Sequence, residues 1–196
     1  ITELTMKKTL RILAVNLALL LTALNLPAQE INPNLLYRIV SPAGLAISNM
    51  ENESNAANLF LEKRDNASQS QLWKITRLDN GYYTITNPFS EKSIDNADMT
   101  KGNGNPVIQW DADSGNSNQH WTMTLTGTGA YTITHRNSGM NLTISGSDSD
   151  GARLYQIPGG EQLWRLVPTN VRVPKKKVRK PSNNEWENGT IFAGNK

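Results

Sequence analysis

Between Glu30 and Thr169 apolar and polar residues alternate in short runs, and no stretch carries the period of a helix. Tyr37-Arg38-Ile39-Val40, Tyr83-Thr84-Ile85-Thr86 and Tyr131-Thr132-Ile133-Thr134 have the two-residue period and β-branched enrichment of half-buried strands. Clusters of Gly, Asn, Asp and Ser separate these runs and supply turn chemistry. Ahead of them, Ile12 to Leu26 is an apolar run broken only by Asn16, Thr22 and Asn25. The pattern predicts an all-β body preceded by one apolar segment.

A second marker recurs behind each strand. Gln71-Leu72-Trp73, Gln119-His120-Trp121 and Gln162-Leu163-Trp164 are one motif, with tryptophans 48 and then 43 positions apart. A unit of this length made of short strands cannot bury its apolar face alone, so the three copies must pack on one another. A large side chain repeated by symmetry belongs in the shared core. Trp73, Trp121 and Trp164 are therefore expected to be buried, and each glutamine to hydrogen-bond backbone in its own turn.

Three such units, each opening on Tyr-x-Ile and ending in Gln-x-Trp, resemble the ricin-type lectin family. The resemblance covers Asn34 to Pro168. It implies a β-trefoil, a pseudo-three-fold domain of about twelve short strands, and it implies sugar binding. Counting back from each motif, Trp110 is matched by Glu62 and Ile157, so this tryptophan is not part of the repeat. In such lectins a side chain here is the platform for a sugar ring, whose apolar face suits an indole. The family also needs a carboxylate after the first strand. Among Ile47-Ser48-Asn49, Ile94-Asp95-Asn96 and Leu142-Thr143-Ile144, only the second copy supplies one. Its oxygens can accept from two vicinal hydroxyls, in the stronger charge-assisted kind of bond. Asn118 and Gln119 fit the amide donors expected before the core tryptophan. The candidate carbohydrate site is thus Asp95, Trp110, Asn118 and Gln119, with galactose-type sugars as first candidates on the resemblance. Ile108 replaces a further polar contact found in some relatives. Ser93 and Ala112 stand where many relatives carry a disulfide, so packing alone is expected to hold the site loop.

The ends change the reading of charge and location. Met6-Lys7-Lys8-Thr9-Leu10-Arg11, the apolar run and Pro27-Ala28-Gln29 form a basic head, an apolar stretch and a small-residue cleavage point. Residues 1–29 thus read as upstream residues plus a cleaved signal peptide, which meets a membrane only during export. A secreted, periplasmic or cell-surface protein is expected. The whole chain is formally +3, yet Glu30 to Asn170 holds ten basic against fourteen acidic residues, a net of −4. The folded part, residues 30–168, therefore has no electrostatic reason to bind nucleic acid. The basic residues of 169–184, from Arg172 to Lys180, read as a solvated linker.

Residues 185–196 shift in composition again. Glu185-Trp186-Glu187-Asn188, followed by Ile191-Phe192 and Asn195-Lys196, resembles the opening of β-galactosidases of glycoside hydrolase family two. The resemblance implies a second, truncated domain, so the lectin module would be covalently joined to a glycosidase whose catalytic carboxylates lie outside this sequence. Within the trefoil region no catalytic constellation, cofactor motif or metal set emerges. His120 and His135 lack ligand spacing, and Asp148-Ser149-Asp150-Gly151 and Asp111-Ala112-Asp113 read as turns before they read as calcium loops. The alternative is a secreted adhesion or protein-interaction trefoil with no sugar site.

Overall fold

A computed structural model describes residues 30–97 and 102–174. The apolar segment before Glu30, the basic residues from 175 onward and the tail 185–196 lie outside the described residues. The described chain forms twelve strands: β1 Leu35–Val40, β2 Ala46–Ser48, β3 Phe60–Glu62, β4 Trp73–Arg77, β5 Tyr83–Asn87, β6 Lys92–Asn96, β7 Asn105–Asp111, β8 Trp121–Leu125, β9 Tyr131–His135, β10 Asn141–Ile144, β11 Leu154–Ile157 and β12 Arg165–Arg172. Each repeat contributes four, so the molecule is an all-β trefoil with a pseudo-three-fold axis. β12 continues past Pro168 because Arg172 still pairs with Leu35 on β1. Ordered sheet thus extends into the stretch read from sequence as linker.

Six strands close a barrel. β1 pairs with both β12 and β4, β4 with β5, β5 with β8 and β8 with β9, and the bridge Tyr131↔Trp164 returns β9 to the start of β12. The Tyr-x-Ile runs lie on β1, β5 and β9, the first strand of each repeat. Three hairpins, β2–β3, β6–β7 and β10–β11, cap one end of the barrel. They meet around the axis through Asn58↔Ile108, Tyr155↔Pro106 and Phe60↔Arg153. Two-residue periodicity explains the split of side chains. Leu59, Leu61, Val107 and Leu154 point inward and are fully buried, as are Ile39, Ile85 and Ile133 from the barrel.

Trp73, Trp121 and Trp164 are 0% exposed. Each indole Nε1 donates to a hairpin carbonyl: Trp73 to Ile47 at 2.9 Å, Trp121 to Ile94 at 3.2 Å and Trp164 to Leu142 at 3.0 Å. One side chain per repeat therefore fills the core and ties barrel to hairpin, which satisfies the only polar atom it buries. These bonds set the equivalences between copies. Ile47 faces Leu61, Ile94 faces Gln109 and Leu142 faces Gln156, so Ser48, Asp95 and Thr143 are counterparts, as are Glu62, Trp110 and Ile157.

The glutamines do not all behave alike. Gln71 donates to Lys63 O and accepts from Asp65 N, and Gln119 donates to Asp111 O and accepts from Asp113 N. Gln162 reaches only the neighbouring Leu163 O. The segment between hairpin and motif is four residues shorter in the third copy, from Ile157 to Trp164 against Trp110 to Trp121, so no loop arches back over Gln162. Each glutamine thus bonds backbone in its own turn as expected, but only Gln71 and Gln119 clamp the turn through both amide groups.

Candidate functional site

The second hairpin builds the site. β6 and β7 pair in antiparallel register with Ser93↔Trp110, Ile94↔Gln109 and Asp95↔Ile108. Directly opposed residues share a face, and residues two apart on a strand share it too. Ser93, Asp95, Ile108 and Trp110 therefore project from one face, while Ile94, Val107 and Gln109 project from the other into the core. Trp110 and Asp95 are diagonal neighbours, roughly 7–8 Å apart at the backbone, within the span of one sugar ring. Trp110 is 43% exposed, alone among the described tryptophans in reaching solvent.

Asp95 sits at the buried edge of this face. It is 4% exposed, and burial raises its carboxyl to about 6 against an ordinary 3.8, with the Gln119 hydrogen bond working the other way. Gln119 Nε2 donates to Oδ2 at 2.9 Å. Oδ1 takes no hydrogen bond from a described residue, and it is not among the sealed, unpartnered polar atoms. One oxygen is thus held by the protein, and the other has no hydrogen bond from a described residue. Ile108, directly across, gives the carboxylate an apolar neighbour and no donor.

Gln119 is fully buried and fully used. Its two amide protons go to Asp95 Oδ2 and Asp111 O, and its oxygen takes Asp113 N–H. An amide has two donors and one carbonyl oxygen, so no donor remains for a sugar, and the geometry makes Gln119 the residue that aims Asp95. Asn118 differs. It lies with Gln119 on the 3-10 turn Ser117–Gln119, whose N-cap Asn116 accepts from Asn118 N. Its Oδ1 accepts from Asn137 Nδ2 at 3.4 Å, while its own Nδ2 donates to no described residue and is not among the sealed polar atoms.

The loop that carries Asn118 is held by more than packing. Ala112 N donates to Glu91 O, Asp113 caps Gly115 N–H at 2.8 Å, and His120 Nε2 bonds Ser114 O at 2.9 Å. His120 Nδ1 meets Arg136, which lies over the Tyr82 ring, and Tyr82 stacks on His120. Ser93, at a staple position of the relatives, shares a hydroxyl hydrogen bond with Thr86 at 2.7 Å. On the far side Asn55 from the first repeat donates to Asp111, which also pairs with Lys92. Asp148 and Asp150 accept Ala43 and Lys63 backbone N–H groups, so they join the third copy to the first as turn residues do.

Two clefts lie over the first repeat, away from Trp110. One of about 630 Å³ is lined by Met50, Glu62, Ser70 and Gln71, and one of about 460 Å³ by Asn49, Ser68, Asn87 and Phe89. Stacking a sugar on an indole needs an open platform rather than an enclosed volume. In the first repeat the position of Trp110 is Glu62 and that of Asp95 is Ser48, so the larger cleft has carboxylates, among them Glu62, Asp65 and Asp150, but no aromatic platform.

Comparison with known proteins agrees with this architecture. A family model described as ricin-type beta-trefoil lectin domain-like matches residues 28–110 and, in a second overlapping register, 70–157. The chain belongs to this family. Two overlapping matches are what a three-fold repeat produces, and the family assignment carries a capacity for carbohydrate binding. Among solved structures, the designed three-fold symmetric protein ThreeFoil is 31% identical with a TM-score of 0.63, over 67% of this chain and 97% of that one. An exo-beta-1,3-galactanase from Clostridium thermocellum is 32% identical with a TM-score of 0.64, over 69% of this chain but 30% of the enzyme. A Polyporus squamosus lectin bound to a sialylated epitope shares the fold at 19% identity, with a TM-score of 0.56 over 69% of this chain and 49% of that one. No curated protein sequence matches the chain.

Proposed function

We propose that this lectin-family domain binds glycan through one site, in the second repeat. A sugar ring lies on Trp110, vicinal hydroxyls donate to Asp95, Asn118 Nδ2 donates to a hydroxyl oxygen, and Gln119 aims the carboxylate from behind. The observation that carries this reading is the contrast within one residue type. Three tryptophans are sealed in the core, while Trp110 is 43% exposed on the same hairpin face as a carboxylate with one free oxygen. Neither counterpart pair, Ser48 with Glu62 or Thr143 with Ile157, offers both an aromatic and an anion.

Galactose-type sugars are the first candidates, and the galactanase among the similar structures supports that choice. It also supports reading the module as a tether, joined through the basic residues after Arg172 to a glycosidase that begins near Glu185. Such a tether raises the enzyme's local concentration on its substrate. The family-two β-galactosidase resemblance of 185–196 and the export signal of 1–29 belong to the same proposal, which places the protein in the periplasm, at the cell surface or outside the cell.

Calorimetry or a glycan array on the purified chain tests the site. Binding on the order of 0.1–1 mM is expected for one shallow site that buries few atoms. Trp110→Ala and Asp95→Ala should each abolish it without unfolding the domain. Two variants that bind as the parent does would remove the site from the second repeat, and a parent that binds no glycan would leave the adhesion reading in its place.

A further inference from the structure

Resting on that sugar-site reading, we infer that Asn137, a residue of the third repeat, decides which hydrogen-bonding face Asn118 turns to the ligand. Asn137 lies in the turn between β9 and β10. Its Nδ2 donates to Ser117 Oγ at 2.9 Å and to Asn118 Oδ1 at 3.4 Å. The first bond seats Asn137 on the 3-10 turn, and the second occupies the Asn118 oxygen. With its oxygen directed at Asn137, the planar Asn118 amide holds its Nδ2 on the other side, where its N–H donors face the ligand. Asp95, by contrast, can only accept when ionised. The site therefore presents one fixed donor beside one fixed acceptor, and a hydroxyl that accepts from Asn118 while giving its proton to Asp95 satisfies both. Such a relay polarises each bond and strengthens the pair.

The arrangement is confined to this site. Ser41, Asn87 and His135 are the last core-facing positions after each Tyr-x-Ile run, so the counterparts of Asn137 are Ala43 and Phe89, neither of which can donate from its side chain. The counterparts of Asn118 are Ser70 and Glu161. The turn that holds Asn137 is itself fixed. Arg136 N donates to His120 O at 2.9 Å, its guanidinium meets His120 Nδ1, and Ser138 Oγ donates to Gln156 Oε1 at 2.7 Å. Asn137 is thus a positioning residue for specificity, acting through Asn118.

The test is a double-mutant cycle on the full chain with methyl β-galactoside and lactose as probes, read by calorimetry. Asn137→Ala should weaken binding roughly 3- to 10-fold when Asn118 is present and have no effect in an Asn118→Ala background. Asn137→Asp replaces the donor with an acceptor, so Asn118 must turn its Nδ2 toward it, and the loss should match that of Asn118→Ala. Equal losses from Asn137→Ala in both backgrounds, or none in either, overturn the inference. If the parent binds neither probe, the sugar reading fails separately, and the Asn118 side-chain amide resonances of the free chain decide the rest. A displacement of those signals in Asn137→Asp supports positioning, and unchanged signals refute it.

Discussion

Asp95→Asn should make the domain more stable at neutral pH while destroying its binding. Burial raises the Asp95 carboxyl to about 6 from an ordinary 3.8. The folded state therefore holds the proton more tightly than the unfolded chain. For such a group the stabilising contribution is fully present below 3.8 and is lost as pH rises through 6, so at pH 7.5 the ionised carboxylate is a net cost. A shift of two units corresponds to about 3 kcal/mol at most. Oδ1 is not sealed from solvent, so a discounted figure of about 1–2 kcal/mol is more realistic. Asparagine keeps the shape, can accept from Gln119 through its oxygen, and carries no charge. Urea unfolding of parent and variant at pH 7.5 and pH 4 is the assay. The variant should be about 1–2 kcal/mol more stable at pH 7.5, with the difference shrinking toward pH 4. His135 adds an internal control. Burial lowers its imidazole to about 4 from 6.5, so its contribution is present above 6.5 and lost as pH falls through 4, opposite in sign to Asp95. Removing the Asp95 titration should leave the variant with the steeper loss of stability in acid. A variant less stable than the parent by the same amount at both pH values would refute the argument, because the loss would then owe nothing to the ionisation of Asp95.

Two further outcomes test the scaffold and the absence of chemistry in it. Trp164→Ala should cost about 3–5 kcal/mol and lower the melting temperature with or without sugar, since it empties core volume and orphans the Leu142 carbonyl; a melt like the parent's would take Trp164 out of the core. Purified residues 30–174 should hydrolyse no aryl galactoside, because no carboxylate pair in a glycosidase setting lies among the described residues; turnover that survives rigorous purification would contradict this.

The scaffold was legible because it is written three times. Trp73, Trp121 and Trp164 occupy one environment each and repeat as sequence, so their burial follows from spacing alone. Trp110 was legible for the converse reason, as a costly side chain where the pattern asks for none. What sequence did not reveal is how polar groups are shared between segments. Asn118 and Gln119 are neighbours with the same chemistry, but the loop from Asp111 to Asp113 arches over one and not the other. That loop takes the oxygen and one amide proton of Gln119, Asp95 takes the other proton, and Asn118 is left half free. Nothing in the local motif separates them. Asn137 carries no signal either, since it belongs to another repeat and its neighbours Arg136 and Ser138 are ordinary turn residues. The one clue available was that its counterparts, Phe89 and Ala43, differ from it.

The trefoil also explains why one repeat can differ so far from its sisters. Positions that point inward, such as Ile94 and Val107, must fit a shared core and are constrained by all three copies. Positions on the opposite hairpin face pack against loops that differ between copies, as Asp95 does on Gln119, and at Trp110 they reach solvent. Ser48, Asp95 and Thr143 have equivalent backbone settings, yet only Asp95 must be held against its own desolvation, and the partner that holds it is the Gln119 of the same repeat. In the first copy Gln71 keeps both backbone bonds and has no carboxylate to serve, because Ser48 donates to Ser70 instead. The glutamine is thus a structural residue first. It closes its turn in two copies and can take on an anion with the one amide proton the turn leaves over. A sugar site on this fold therefore needs few changes, an aspartate and an exposed aromatic on one hairpin face, and the core does not register them.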